Sequence, residues 1–237
     1  YKCIYHVGGI IMNDLSDWMA SNNIISFRLF SASGVSELPT GWEIPEEFDL
    51  DGAVFYTGDC MVVFTDEVQK VLVDNQKTRV FGLKDLQGWL DQYSRDNFTL
   101  IGYHSAKFDI PLLARDYKFN LNHIDLADIV FDASKDHYST YGRRYDIHTL
   151  SELNNATQSI LPDLSFMLKP ITRLSDWRRG LSRNVLRTLA VESELIAKLY
   201  SKILIHEEIK IIDERTERPV TISCSNVRDY IGNDIRL

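Results

Sequence analysis

Cysteine is scarce in this chain: Cys3, Cys60 and Cys224 are widely spaced and form no CxxC pair. That argues against a disulfide framework or a zinc site and makes a reducing compartment the expectation. Proline and glycine never gather into a linker long enough to force a domain boundary. No run approaches the roughly 18 to 20 apolar residues of a membrane span. The first residues, "YKCIYHVGGIIMNDLSDW", lack the basic start and small-residue cleavage site of a signal peptide. No membrane partner is expected, and the expected location is intracellular, cytoplasmic or nuclear. Basic charge is short too: 26 Lys and Arg against 34 Asp and Glu leave a net charge of −8, which counts against a broad non-specific nucleic-acid surface.

What remains is ordinary for a globular chain, 44% hydrophobic and 25% charged over 237 residues, enough for a sizeable core. "NNIISFRLFSAS" (22–33) reads as a strand, and 52–81 as two or three more, with turns near Gly58-Asp59 and Asp74-Asn75. The period then changes. "LKDLQGWLDQYSRDN" sets Leu83, Leu86, Trp89, Leu90 and Tyr93 on one helical face, "FTLIGYHS" reverts to a short buried strand, and "KFDIPLLARDY" returns to helix spacing. "NLNHIDLADIVFD" is either a short strand or a helical turn, and "DIHTLSELNNAT" a helix. A long helix over "SRNVLRTLAVESELIAKLYSKILIHEEI" carries an apolar stripe of Val185, Leu189, Ile196 and Leu199. "IKIIDERTERPVTIS" closes as a hairpin. The order predicts an α/β domain with a mixed sheet flanked by helices.

The stretch "LIGYHSAKFDIPLLARDY" (100–117) raises a specific question, because Asp109 stands where a buried strand gives way to an amphipathic helix. This stretch resembles the second motif, "hGYNxxxFDhPhL", of the DnaQ-like (DEDD) 3′–5′ exonucleases of the ribonuclease-H-like fold, with His104 where Asn is usual. "HIDLADIV" resembles that family's "hxDLxDhh", "DIHTLSELNNAT" its "SLdxLaxxhh" helix, and "DWRRGLSRNVLRTLAVESELIAKLY" the stretch holding its third motif. The resemblance comes closest to exonuclease-like domains attached to helicases or replication proteins, and it covers roughly residues 22–222. Residues 1–21 are then an N-terminal extension or the end of a preceding domain, and 223–237 a C-terminal tail.

The resemblance implies a two-metal phosphodiesterase site, with Mg²⁺ or Mn²⁺ held by four convergent carboxylates. On one alignment "IISFRLFSAS" is the first-motif strand. The two carboxylate positions then hold Arg28 and Phe30, the third-motif acid falls on Glu192, and Arg187 and Thr188 stand where a water-orienting Tyr or His belongs. Only Asp109 and Glu192 remain of four acids, and an arginine beside them opposes a divalent cation, so no metal or other cofactor is expected. A second alignment takes "EFDLDGAVFYTGDCMVVF" as the first motif and makes Asp49, Asp51, Asp109 and Glu192 the catalytic set of an active exonuclease. Its local wording is better, but "WEIPEE" is not the apolar strand that aims such acids inward. A third candidate, Asp66 and Glu67, puts adjacent acids on opposite faces of a strand.

Simpler roles stand beside these. Asp109 alone suits the first turn of a helix, Glu192 lies on a solvated face that also offers Glu194 and Lys198 as an i,i+4 pair, and Asp125 and Asp128 serve as cap or surface residues. His104 is either a satisfied residue at a strand end or a nucleotide contact. Arg143, Arg144 and Trp177 lie where Arg interleaves with aromatics, a pattern able to hold phosphate and stack bases. The leading expectation is an exonuclease-fold domain, degenerate at its metal site, that binds single-stranded RNA or DNA or a protein partner. An active 3′–5′ exonuclease and a purely architectural domain of a larger polypeptide are the alternatives.

Overall fold

Strand β3 (Ile24–Phe30) is buried along nearly its whole length, as a strand covered on both faces must be. The computed structural model describes residues 5–7, 10–12, 15–32, 48–67, 78–141, 150, 153–154, 168–213, 218–225 and 227–230. A short hairpin of β1 (Tyr5–Val7) and β2 (Ile10–Met12) and helix α1 (Leu15–Ser21) precede β3. After it come β4 (Gly52–Tyr56), β5 (Met61–Thr65) and β6 (Thr78–Phe81), then α2 (Leu86–Arg95), β7 (Thr99–Gly102), α3 (Asp109–Asp116) and β8 (Asn122–Asp125). The six main strands form one mixed sheet in the order β6-β5-β4-β3-β7-β8. Strands β3, β4 and β5 meander antiparallel, whereas β7 and β8 run parallel to β3 and β6 parallel to β5. Among the described residues of 52–81 there are three strands; the Asp74-Asn75 turn lies outside the described residues.

Alternation along β3 sorts its side chains between two helical layers. Ile25, Phe27 and Leu29 face α2 and α3, packing with Phe55, Leu86, Leu90, Leu112 and Leu113. Ile24, Ser26, Arg28 and Phe30 face the other layer. That layer is formed by α1, α4 (Leu126–Tyr141), α5 (Pro170–Arg178) and the 25-residue α6 (Ser182–His206). The expected stripe of Val185, Leu189, Ile196 and Leu199 on α6 is fully buried against the sheet. "NLNHIDLADIVFD" proves to be both things at once, a strand to Asp125 and a helix from Leu126. The helix expected at "DIHTLSELNNAT" is described only at residues 150, 153 and 154, which are helical; the rest lies outside the described residues.

The flanks pack with this core. Trp18 and Met19 of α1 share a cluster with Ile24, Ile101 and Tyr200, and so do Cys224 and Val227 at the other end. At the β4–β5 turn, Gly58 takes φ +99°, and a Cβ there would lie 2.7 Å from the Ser16 backbone. Only glycine lets this hairpin tip press on α1. The closing hairpin forms as expected, β9 (Glu208–Asp213) pairing antiparallel with β10 (Arg218–Ser223) ahead of the short α7 (Val227–Tyr230). Among the described residues no helix is long and apolar enough to cross a membrane.

Candidate functional site

Parallel pairing of β3 with β7 stops at Ser26 and Ile101, so the last residues of β3 have an open edge there. The chain after β7 fills it. Gly102 permits the approach: a Cβ would sit 2.0 Å from Ser105 Oγ and 3.1 Å from the Phe27 ring. His104 then turns the backbone through a left-handed conformation, φ 54°. Asp125, at the end of β8, holds this turn together. Its two oxygens accept from the backbone N–H groups of His104 (2.8 Å) and Ala106 (2.9 Å), and one also accepts from Ala127 N–H at the start of α4 (3.0 Å). Asp125 is therefore a turn and cap residue. Behind it Ser105 and His123 share a partly buried hydrogen bond of 2.9 Å.

This turn delivers Asp109, the first residue of α3, to Arg28. The guanidinium of Arg28 bridges two acids. Its Nη1 lies 3.3 Å from Asp109 Oδ2 and donates to Tyr103 O at 2.8 Å, and its Nε donates to Glu192 Oε2 at 3.1 Å. Glu192, on α6, is gripped from its other side by Arg173 of α5 in a bidentate pair at 2.5 and 3.1 Å. Arg173 is fixed in turn by donating to Leu168 O, and Thr188 Oγ1 accepts from Leu168 N–H while donating to Asn184 O. Ser26 Oγ donates to Ser193 O and helps set the height of α6 above β3.

Burial governs the protonation of this cluster. It pushes the Asp109 carboxyl up to about 6, against the pull of Arg28 and of a hydrogen bond from the Leu29 backbone. Glu192 is equally buried, but two guanidiniums outweigh the desolvation and hold its carboxyl below the usual range. Arg28 also loses hydration, yet Glu192 and Asp109 keep its pKa raised, so it is a fixed cation.

The site thus gathers Arg28, Asp109 and Glu192 around one guanidinium. Phe30, two residues along β3, packs into an apolar cluster with Val54, Leu186 and Leu189, its ring 4.9 Å from that of Trp177. Asp49 and Asp51 lie elsewhere. Asp49 is largely exposed and pairs at 3.0 Å with Arg115, in the last turn of α3, whereas Asp109 opens that helix; the two ends are about 9 Å apart. Asp51 Oδ2 accepts from Ala32 N–H at 2.5 Å, just beyond β3. The four acids of the second alignment are not gathered: among the described residues no three Asp, Glu, His or Cys side chains stand close enough together to hold a metal ion. The residues present do not fit a divalent pair, because the cation between Asp109 and Glu192 is a covalently tethered guanidinium.

Of the residues read as nucleic-acid ligands, Trp177 is partly buried against Phe30, and His104 is half-buried with its ring edge-on to Tyr103. Arg143 and Arg144 lie outside the described residues. The i,i+4 pair of Glu194 and Lys198 forms at 2.5 Å on the outer face of α6, but Glu192 does not share that solvated face: it is buried between Arg28 and Arg173. Arg173 was not legible as a site residue. The available signal was a glutamate, Glu192, on the core-facing half of a helix, which needs more than one cation to stay ionised. The chain matches no family model and no curated protein.

Proposed function

We propose that this chain is a DEDD-exonuclease-like domain of ribonuclease-H-like fold in which a guanidinium has replaced the metals, leaving an interaction module that does not hydrolyse phosphodiesters. The observation that carries the reading is the Arg28 bridge between Asp109 and Glu192. In an exonuclease of this resemblance those two carboxylates would face a divalent cation. Here Arg28 satisfies both, supplying charge and directed N–H donors that Mg²⁺ could replace only by displacing a side chain anchored on the central strand. A sheet with three antiparallel strands and two further strands parallel to the first is compatible with this fold.

The partner we infer is a protein. Arg28 and Arg173 are engaged by internal carboxylates, the Trp177 ring is covered on one side by Phe30, and the chain carries a net charge of −8. Phosphate backbones demand accessible cations.

The test is incubation with 3′- and 5′-labelled single-stranded RNA and DNA in Mg²⁺ or Mn²⁺, with EDTA lanes and a native gel of the same samples. The expected result is neither shortening nor a shifted band. EDTA-sensitive shortening from the 3′ end overturns the inert-site reading, and a shifted band that fades steeply with salt makes the partner a nucleic acid.

A further inference from the structure

A cavity of about 490 Å³ lies on the opposite face of the sheet from Arg28, between α2 and the edge strands β5 and β6. Register places it there. Phe27 pairs with Phe55, Phe55 with Val62 and Val62 with Arg79, so all four side chains share one face, and Arg28, the next residue along β3, points to the other. Its volume falls within the roughly 300–1,000 Å³ typical of small-ligand sites.

The walls are aromatic. Phe64 stacks on Phe81 with centroids 5.6 Å apart, Trp89 lies 5.6 Å from Phe64, and Tyr93 lies 4.2 Å from Trp89. Phe81 is 38% exposed, one of few large apolar side chains so open to solvent among the described residues. Gly88 stands in the interior of α2, where glycine costs about 1 kcal/mol relative to alanine. Neither a positive φ nor a close approach requires it, since a Cβ there would meet nothing within 4 Å. The glycine widens the cavity without serving the packing.

Charge narrows the ligand. Arg79 projects into the cavity, and among the described residues its guanidinium makes no ion pair or side-chain hydrogen bond. The two acids nearby have other surroundings: Asp59 accepts from Thr57 Oγ1 across the β4–β5 turn, and Asp85 stands at the N-cap position of α2, where its side chain makes no cap hydrogen bond but its negative charge suits the helix end. Both would repel a second negative charge. Cys60 also lines the cavity, but burial pushes its thiol up, so it offers no thiolate nucleophile.

We propose that this cavity binds a flat aromatic ring bearing a single carboxylate, the ring against Trp89 and Phe64 and the carboxylate on Arg79. That chemistry has two sources, a free aromatic acid or an aromatic side chain beside an acidic one in a partner's peptide. The peptide source would deepen the interaction-module reading. The cavity itself stands without that reading, because it shares no residue with the Arg28 cluster.

Calorimetric titration of the whole chain with indole-3-acetate, indole-3-acetamide and the capped peptide acetyl-Ala-Trp-Asp-Ala-amide tests it. Concentrations up to about 10 mM would saturate a site with a Kd near 1 mM. Indole-3-acetate should bind about ten- to a hundredfold tighter than the neutral amide. Arg79→Gln should remove that preference, and Gly88→Leu should abolish binding by filling the space while the melting temperature holds or rises. Lys198→Ala, which deletes a cation elsewhere, should change nothing. A peptide tenfold tighter than the free acid identifies a docking pocket; the reverse identifies a small-molecule site. No saturable heat with any probe, equal affinity for acid and amide, or indifference to Gly88→Leu overturns the proposal.

Discussion

Arg28 lies between two buried acids, Asp109 and Glu192, and the two respond to it differently. A carboxylate taken out of water is raised by desolvation and lowered by a nearby cation; at Asp109 desolvation wins, and the group titrates at about 6. Because the folded value lies above the reference value of 3.8, the stability this group contributes is fully present below about pH 4 and is lost as pH rises through about 6. The span corresponds to a loss on the order of 2–3 kcal/mol. Glu192 has the opposite sign: its folded value is depressed, so its contribution is present above its unfolded value and is lost on acidification through the folded one. Urea unfolding of wild type and Asp109→Asn from pH 4 to pH 7 separates the two. The wild type should lose stability relative to the variant as pH rises to about 6 and then run parallel to it. A difference that stays constant across the range would show that Arg28 holds Asp109 ionised throughout.

At the scale of elements, the approach of the 103–108 turn to β3 depends on Gly102. Its alanine variant would drive a methyl group into Ser105, whose Cβ lies 2.3 Å from the added carbon, and against the Phe27 ring. Overpacking of this kind costs about 1–3 kcal/mol, to be read as a lowered urea midpoint with an unchanged slope; an unchanged midpoint would show that the turn can withdraw from β3. Most elements were legible because the hydrophobic period changes cleanly between them. The stripe on α6 and the alternation along β3 each have a single face to bury. Periodicity was less informative at α2, where Leu86 and Leu90 are buried as read, but Trp89 and Tyr93 border the cavity. A period fixes which side of a helix a residue occupies, not whether anything covers it. The site was legible in its first three members because a spaced motif marks Asp109 and alignment then points to Arg28 and Glu192. Arg173 was not, since its pairing with Glu192 spans 19 residues and depends on how α5 folds back onto α6.

For the whole molecule, the two sheet faces differ in chemistry. One carries a charge cluster satisfied from within, and the other an aromatic cavity lined by Arg79, whose guanidinium makes no ion pair among the described residues. The acidic balance of the chain makes the first distinction testable with a metal alone, because exposed carboxylates attract cations weakly and diffusely, whereas a catalytic site binds them stoichiometrically. The most direct measurement is a Mn²⁺ titration of the wild-type chain followed by electron paramagnetic resonance, run beside Asp109→Asn. The two proteins should give identical curves, with only weak surface binding that salt suppresses. One tightly bound equivalent of Mn²⁺ in the wild type, lost in Asp109→Asn, would contradict it, because Arg28 would then have to leave the two carboxylates to a metal.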